Sequence, residues 1–148
     1  MQKIDPDFAA LPARELADAA LTRANELGAE HADLRLERIR HQTLRLYDGG
    51  LETALDGDDI GFAVRVVKDG TWGFAAGVDL TADAAARVAE QAVEVARVSA
   101  AVNRERIELA AEPAHGEQTW VSSYEVDPFG VPTSDKIALL AEIGRAHV

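Results

Sequence analysis

The stretch Ile60–Gly77 constrains the fold of this chain more than any other segment. Apolar residues fall at Ile60, Phe62, Val64 and Val66, and again at Trp72, Phe74 and Ala76. A repeat of two is the strand period, so each run has one face to bury. Asp69-Gly70 stands between the runs. Asp-Gly is a strong short-range hairpin signal, because a tight turn needs positive φ. The expectation is a β-hairpin at the centre of a sheet. Trp72 and Phe74 are read as core residues, and Gly73 as the gap through which another backbone or side chain approaches. The remaining segments are read as cover for this hairpin.

On the N-terminal side, residues up to Ala10 read as a loose lead-in. Pro12 suits a helix start, Leu16, Ala20, Ala24 and Leu27 recur at helical spacing, and Gly28 follows as a C-cap. A first strand is expected where Ala32, Leu34 and Leu36 alternate with charged residues, and a second where Leu44 and Leu46 resume the alternation. Leu51, Thr53 and Leu55 have the opposite parity, which a bulge at Gly49-Gly50 would explain. Asp56-Gly57-Asp58-Asp59 reads as an acidic turn. Beyond the hairpin, Thr81 caps a helix whose stripe is Ala85, Val88, Ala89, Ala92, Val95, Ala96, Ser99 and Val102. Ile107–Pro113 reads as extended, and Thr119–Val126 as a short strand or edge. Residues 127–132 form a turn-rich connector, and a last helix opens at Thr133 or Ser134. Strands joined by hairpins predict an α+β class, a largely antiparallel sheet with helices packed on one face as a two-layer sandwich.

Composition narrows the chemistry. Against 15 basic residues stand 26 acidic ones, a net charge of −11. That charge opposes non-specific binding to nucleic acid or to an anionic membrane. The absence of Cys removes disulfides, thiolate metal sites and Cys nucleophiles. No apolar window is long enough to span a membrane, and the N-terminus lacks a signal-peptide core, so the plain reading is cytoplasmic. His31, His41 and His115 have no second His at helical spacing, and no Ser sits in a nucleophile-elbow motif. Position twelve of a calcium loop counted from Asp56 would be Val67, which cannot serve. Gly70-Thr71-Trp72-Gly73 matches a nucleic-acid clamp in letters, but joins strands rather than helices. Arg35, Arg38, Arg40, Arg45 and Arg65 form a basic cluster that could hold a peptide carboxylate or an acidic partner. The plainer reading is a set of exposed ion pairs with Asp33, Glu37 and Glu52, each worth about 0–1 kcal/mol.

The segments AEHADLRLERIR and DIGFAVRVVKDGTWGFAAGVDLT resemble the N-terminal domain of the TldD/PmbA family. So does TWVSSYEVDPFGVPTSDKIALL, with Tyr124, Asp127 and Pro128 followed by Ser134, Lys136 and Ile137. The more specific block runs from Gly61 through Arg65, Asp69, Gly70, Trp72, Gly73 and Phe74, and its Trp-Gly-Phe form is closer to TldD than to PmbA. The resemblance implies a cytoplasmic zinc metallopeptidase acting on unfolded or flexible peptides, as a homodimer or a dimer with a PmbA-like subunit. The family's zinc ligands and catalytic Glu lie in a His-Glu-x-x-x-His helix, and no position here matches it. The expectation is therefore an N-terminal fragment, with residues 1–132 as one α+β domain. Residues 133–148 are then the start of a truncated helix leading to a missing C-terminal catalytic domain. The ending 142–148 reads as an in-frame sequencing adapter, so His147 is kept out of all chemistry. The domain would supply substrate-channel and dimer surfaces rather than catalysis. The alternative is a stand-alone, non-enzymatic interaction or dimerisation module.

Overall fold

The computed structural model describes residues 4–146, so His147 lies outside the described residues. The element order is α1 (Pro6–Ala9), α2 (Ala13–Glu26), β1 (His31–Tyr47), β2 (Gly50–Lys68), β3 (Thr71–Gly77), α3 (Ala82–Ala100), a 3-10 turn (Pro128–Gly130) and α4 (Thr133–Ala146). The three strands form one sheet in the order β1-β2-β3. Links of two residues join neighbouring strands, which only antiparallel neighbours allow. With α2 and α3 against this sheet, the class is α+β, as expected.

Two compact units divide the chain. One comprises residues 4–38 and 60–118, the other residues 39–59 and 119–146. The long strands β1 and β2 contribute to both.

In the first unit, the core is Leu16, Ala20 and Ala24 of α2, Phe62, Val64 and Val66 of β2, and Ala85, Val88, Ala89, Ala92, Val93 and Ala96 of α3. Ala32, Leu34 and Leu36 of β1 pack against it. Helix α2 ends just before Gly28, which closes its last turn. The Gly28 N–H donates to the Asn25 carbonyl (2.9 Å) and the Ala29 N–H to that of Ala24 (3.0 Å), satisfying the last carbonyls. Thr81 Oγ1 accepts from the Ala84 N–H at 3.3 Å and starts α3.

The central hairpin forms with Asp69 (φ 53°) and Gly70 (φ 69°) in its turn. Its register pairs Val67 with Trp72, Val66 with Gly73, Arg65 with Phe74 and Val64 with Ala75. That register corrects the reading of β3. Phe62, Val64 and Val66 are buried, so their partners Gly77, Ala75 and Gly73 face the helices. Trp72 and Phe74 face the other way, Trp72 half-buried and Phe74 59% exposed. The reason is steric. A Cβ built on Gly73 would stand 1.9 Å from the Ala92 carbonyl oxygen of α3, so helix and strand are in backbone contact and only hydrogen fits between them. The expected stripe of α3 is rotated accordingly, burying Ala84 and Val93 and leaving Val95 and Val102 exposed.

Several further expectations need correction. Residues 6–9 form a helical turn rather than a loose lead-in, because Asp5 Oδ1 accepts from the Asp7 N–H at 2.9 Å. The two strands expected across 32–47 are one. Asp48 (φ 48°) and Gly49 (φ 75°) make a second two-residue turn where a bulge at Gly49-Gly50 was expected. Such a turn itself brings even positions of one strand opposite odd positions of the next, which accounts for the parity change. The acidic run Asp56–Asp59 lies within β2 rather than in a turn. Its carboxylates find partners on β1: Gln42 Nε2 donates to Asp56 Oδ1 at 2.7 Å, and His41 lies 3.9 Å from Asp59. Thr119–Val126 has no strand, and Trp120 there is 84% exposed. Its β-forming side chains do not suffice without a neighbouring strand to pair with.

Candidate functional site

The most organised polar cluster of the first unit lies on the sheet face away from the helices. Strand alternation puts His31 and Asp33 of β1 on that face, and the β2–β3 register adds Arg65, Trp72 and Phe74. Asp33 is the hub. Its Oδ2 accepts from Arg65 Nε (3.0 Å) and lies 2.9 Å from Arg65 Nη2, and His31 Nε2 is 3.1 Å away. The guanidinium so held lies over the Trp72 ring, 4.8 Å from its centroid. His31 meets the edge of the same ring, centroids 6.3 Å apart and planes perpendicular. Asp33 thus fixes a cation on one aromatic face and neutralises it, leaving a flat surface suited to neutral groups.

The five arginines of the basic cluster each have a neighbour of their own. Arg35 pairs with Glu37 on its own strand, Arg38 with Asp5 at 3.2 Å, Arg45 with Glu52 at 3.6 Å, and Arg65 with Asp33. Arg40 stacks over the Phe129 ring at 4.5 Å. Arg35, Arg38 and Arg65 belong to the first unit, and Arg40 and Arg45 to the second. Each has an acidic or aromatic neighbour, and Asp33, Glu37 and Glu52 are the acids that the ion-pair reading names.

Asp69 and Gly70, the turn of the signature block, are held by residues that sequence reasoning did not single out. Glu30 Oε1 accepts from the Gly70 N–H at 3.2 Å. Asn103 Nδ2 donates to the Gly70 carbonyl (3.1 Å) and to Thr71 Oγ1 (2.9 Å). The Ile107 N–H reaches the same carbonyl at 2.8 Å. No motif marks Glu30 or Asn103, because their role exists only once chain segments 30 to 40 residues apart meet.

Three exposed helix residues shift in acidity. Arg97 hydrogen-bonds Glu94 and holds its carboxyl below the usual range, and Glu94 in turn raises Arg97. Arg23 donates to Glu26 and Glu90, and these hydrogen bonds raise its pKa. Among the described residues no three His, Cys, Asp or Glu side chains gather to hold a metal ion. His31 sits with Asp33 and His41 with Asp59, each one residue short of a ligand set. These residues do not fit a metal.

Residues 32–96 match the family model described as PmbA/TldA metallopeptidase domain 1, a span that runs from β1 through the signature hairpin into α3. A metalloprotease of Methanothermobacter thermautotrophicus is 27% identical over 117 residues, covering 79% of this chain and 24% of that one. The chain thus spans 24% of the length of that relative. Both matches agree with the TldD/PmbA resemblance, and the stretch 32–96 is similar to the first domain of this metallopeptidase family. They do not distinguish a TldD-like from a PmbA-like chain.

Proposed function

We propose that this chain is the N-terminal part of a zinc metallopeptidase that acts on unfolded or flexible peptides. The observation that carries this is the family match across 32–96, which contains the whole signature hairpin. The residues described here do not fit a metal, so zinc and its ligands belong to another part of the protein. Their chemistry would be a metal-polarised water with a Glu as general base. The domain would then form part of the substrate channel and of a contact with a second, PmbA-like or identical subunit, in the cytoplasm. Its open sheet face, with Phe74 exposed and Trp72 flat under a neutralised Arg65, is suited to sliding contact with neutral peptide segments.

The test is the full gene product. Expressed whole, it should cleave an unstructured peptide, lose that activity to a chelator and regain it with zinc. A full-length sequence without a His-Glu-x-x-x-His helix, or hydrolysis indifferent to chelation, sinks the proposal.

A further inference from the structure

The two edges of the sheet are built differently. Strand β1 is long and charged throughout, carrying Asp33, Arg35, Glu37, Arg38, Arg40 and Arg45. Charges on an edge strand are a common guard against pairing with other chains. Strand β3, the opposite edge, reads Thr71-Trp72-Gly73-Phe74-Ala75-Ala76-Gly77 and carries neither charge nor proline.

Its backbone is also open. The two-residue turn makes Lys68 and Thr71 a doubly hydrogen-bonded pair, so Gly73, Ala75 and Gly77 bond to β2. Trp72, Phe74 and Ala76 therefore turn their N–H and C=O groups outward. Val67, opposite Trp72, confirms the phase: its carbonyl accepts from the Glu30 N–H at 2.7 Å, on the side away from β3. Alongside this edge runs the flank of α3 that faces away from α2, where Glu90 pairs with Arg23. That flank carries Val95 and Ser99, with Val102 in the turn just beyond the helix, and Val95 is 45% and Val102 80% exposed. A cavity of about 300 Å³ lined by Thr71, Trp72, Ser99, Val102, Asn103 and Ile107 marks one end of the groove.

We infer that the groove between the β3 edge and α3 binds an extended peptide segment as a fourth strand. Outward backbone groups at three alternate residues are satisfied by another extended backbone and by little else. The uncharged walls select a segment without charge across its centre. One set of its side chains would lie against Val95, Ser99 and Val102, and the alternate set beside Trp72 and Phe74. A peptide, rather than a second copy of this chain, fits the length. Seven residues span about 24 Å, and such an edge falls well short of the about 800 Å² per partner usual in a stable dimer.

The identity of the ligand rests on the peptide-directed function proposed above, but the binding does not require catalysis. The test uses the 148-residue chain and a labelled peptide of alternating Thr and Val with lysines at both ends. The expected result is saturable binding, with amide exchange slowed at Trp72, Phe74 and Ala76. N-methylation of alternate peptide nitrogens should weaken binding at least tenfold in one phase and little in the other. Ala76→Pro removes one outward N–H without touching the β2 ladder, and should weaken binding tenfold with an unchanged melt. If Ala76→Pro fails to fold, the two N-methylated peptides decide the question alone. No protection at these amides, or equal loss from both N-methyl phases, overturns the inference. Protection that grows with protein concentration in the absence of peptide assigns the edge to a second copy, and also overturns it. Peptide binding by a full-length protein that hydrolyses nothing would sink the proposed function and leave this inference standing.

Discussion

The chain contains the same turn twice, and the two copies have different fates. Asp48-Gly49 and Asp69-Gly70 both join neighbouring strands through two residues of positive φ. Around Gly49 a Cβ would meet nothing within 4 Å, and the flanking Tyr47 and Leu51 are 71% and 48% exposed. Around Gly70 the Arg106 side chain would lie 2.9 Å from such a Cβ, and Glu30, Asn103 and Ile107 hydrogen-bond the turn. Turn geometry is local and follows from the dipeptide. Whether the turn is then clamped depends on segments far away in sequence.

The strongest way to break the clamped hairpin is Gly73→Ala. Its new methyl would collide with the Ala92 carbonyl and the Ala96 Cβ. Thermal unfolding should show a loss of about 3 kcal/mol or more, since backbone cannot move aside as a flexible side chain can. A variant that melts like the parent would refute the backbone contact between β3 and α3.

Gly70→Ala and Gly49→Ala compare the two turns directly. Both introduce left-handed strain of about 1–2 kcal/mol. Only the first must also displace Arg106, so denaturant midpoints should fall further for Gly70→Ala. Equal losses would mean that the clamp adds nothing.

Asn103→Ala removes the donor to Gly70 and to Thr71, whose hydroxyl belongs to a residue only 6% exposed. A loss of about 1–2 kcal/mol is expected, because a buried hydroxyl is left without its partner. Amide exchange should quicken in the Asp69-Gly70 hairpin and stay the same in the Asp48-Gly49 hairpin. Quickening in both would show that the clamp is not local.

The smallest effect belongs to Glu94, on the solvent side of α3. Its folded-state pKa lies below the unfolded value, so its pairing with Arg97 stabilises above the ordinary carboxylate range of about 4.3. That contribution disappears as pH falls through the depressed folded value. Glu94→Gln should lower the melting temperature slightly at pH 7, and the two curves should converge in acid. A gap that widens in acid would reverse the assigned sign.

Much of this fold can be read from residue order. The Asp69-Gly70 turn, Thr81 and Gly28 as helix caps, and the buried trio Phe62, Val64 and Val66 all rest on interactions within a few residues. The TldD/PmbA resemblance was legible in the hairpin block for the same reason. The cluster of His31, Asp33, Arg65 and Trp72 was not, although all four residues were in view. Periodicity places residues on faces, but only strand register says which faces of which strands meet.

The sequence by itself determined the Asp69-Gly70 turn, the three longer helices and the family that the hairpin resembles, because these depend on local dihedral preference and on period. Tertiary structure decided which face of β3 looks inward. Alternation along Thr71–Gly77 permits either side, and the larger apolar residues Trp72 and Phe74 argue for the wrong one. Helix α3, lined with alanine, comes so close that Gly73 and Ala75 must face it. The aromatic residues are thereby left outside, along an edge whose backbone is still open.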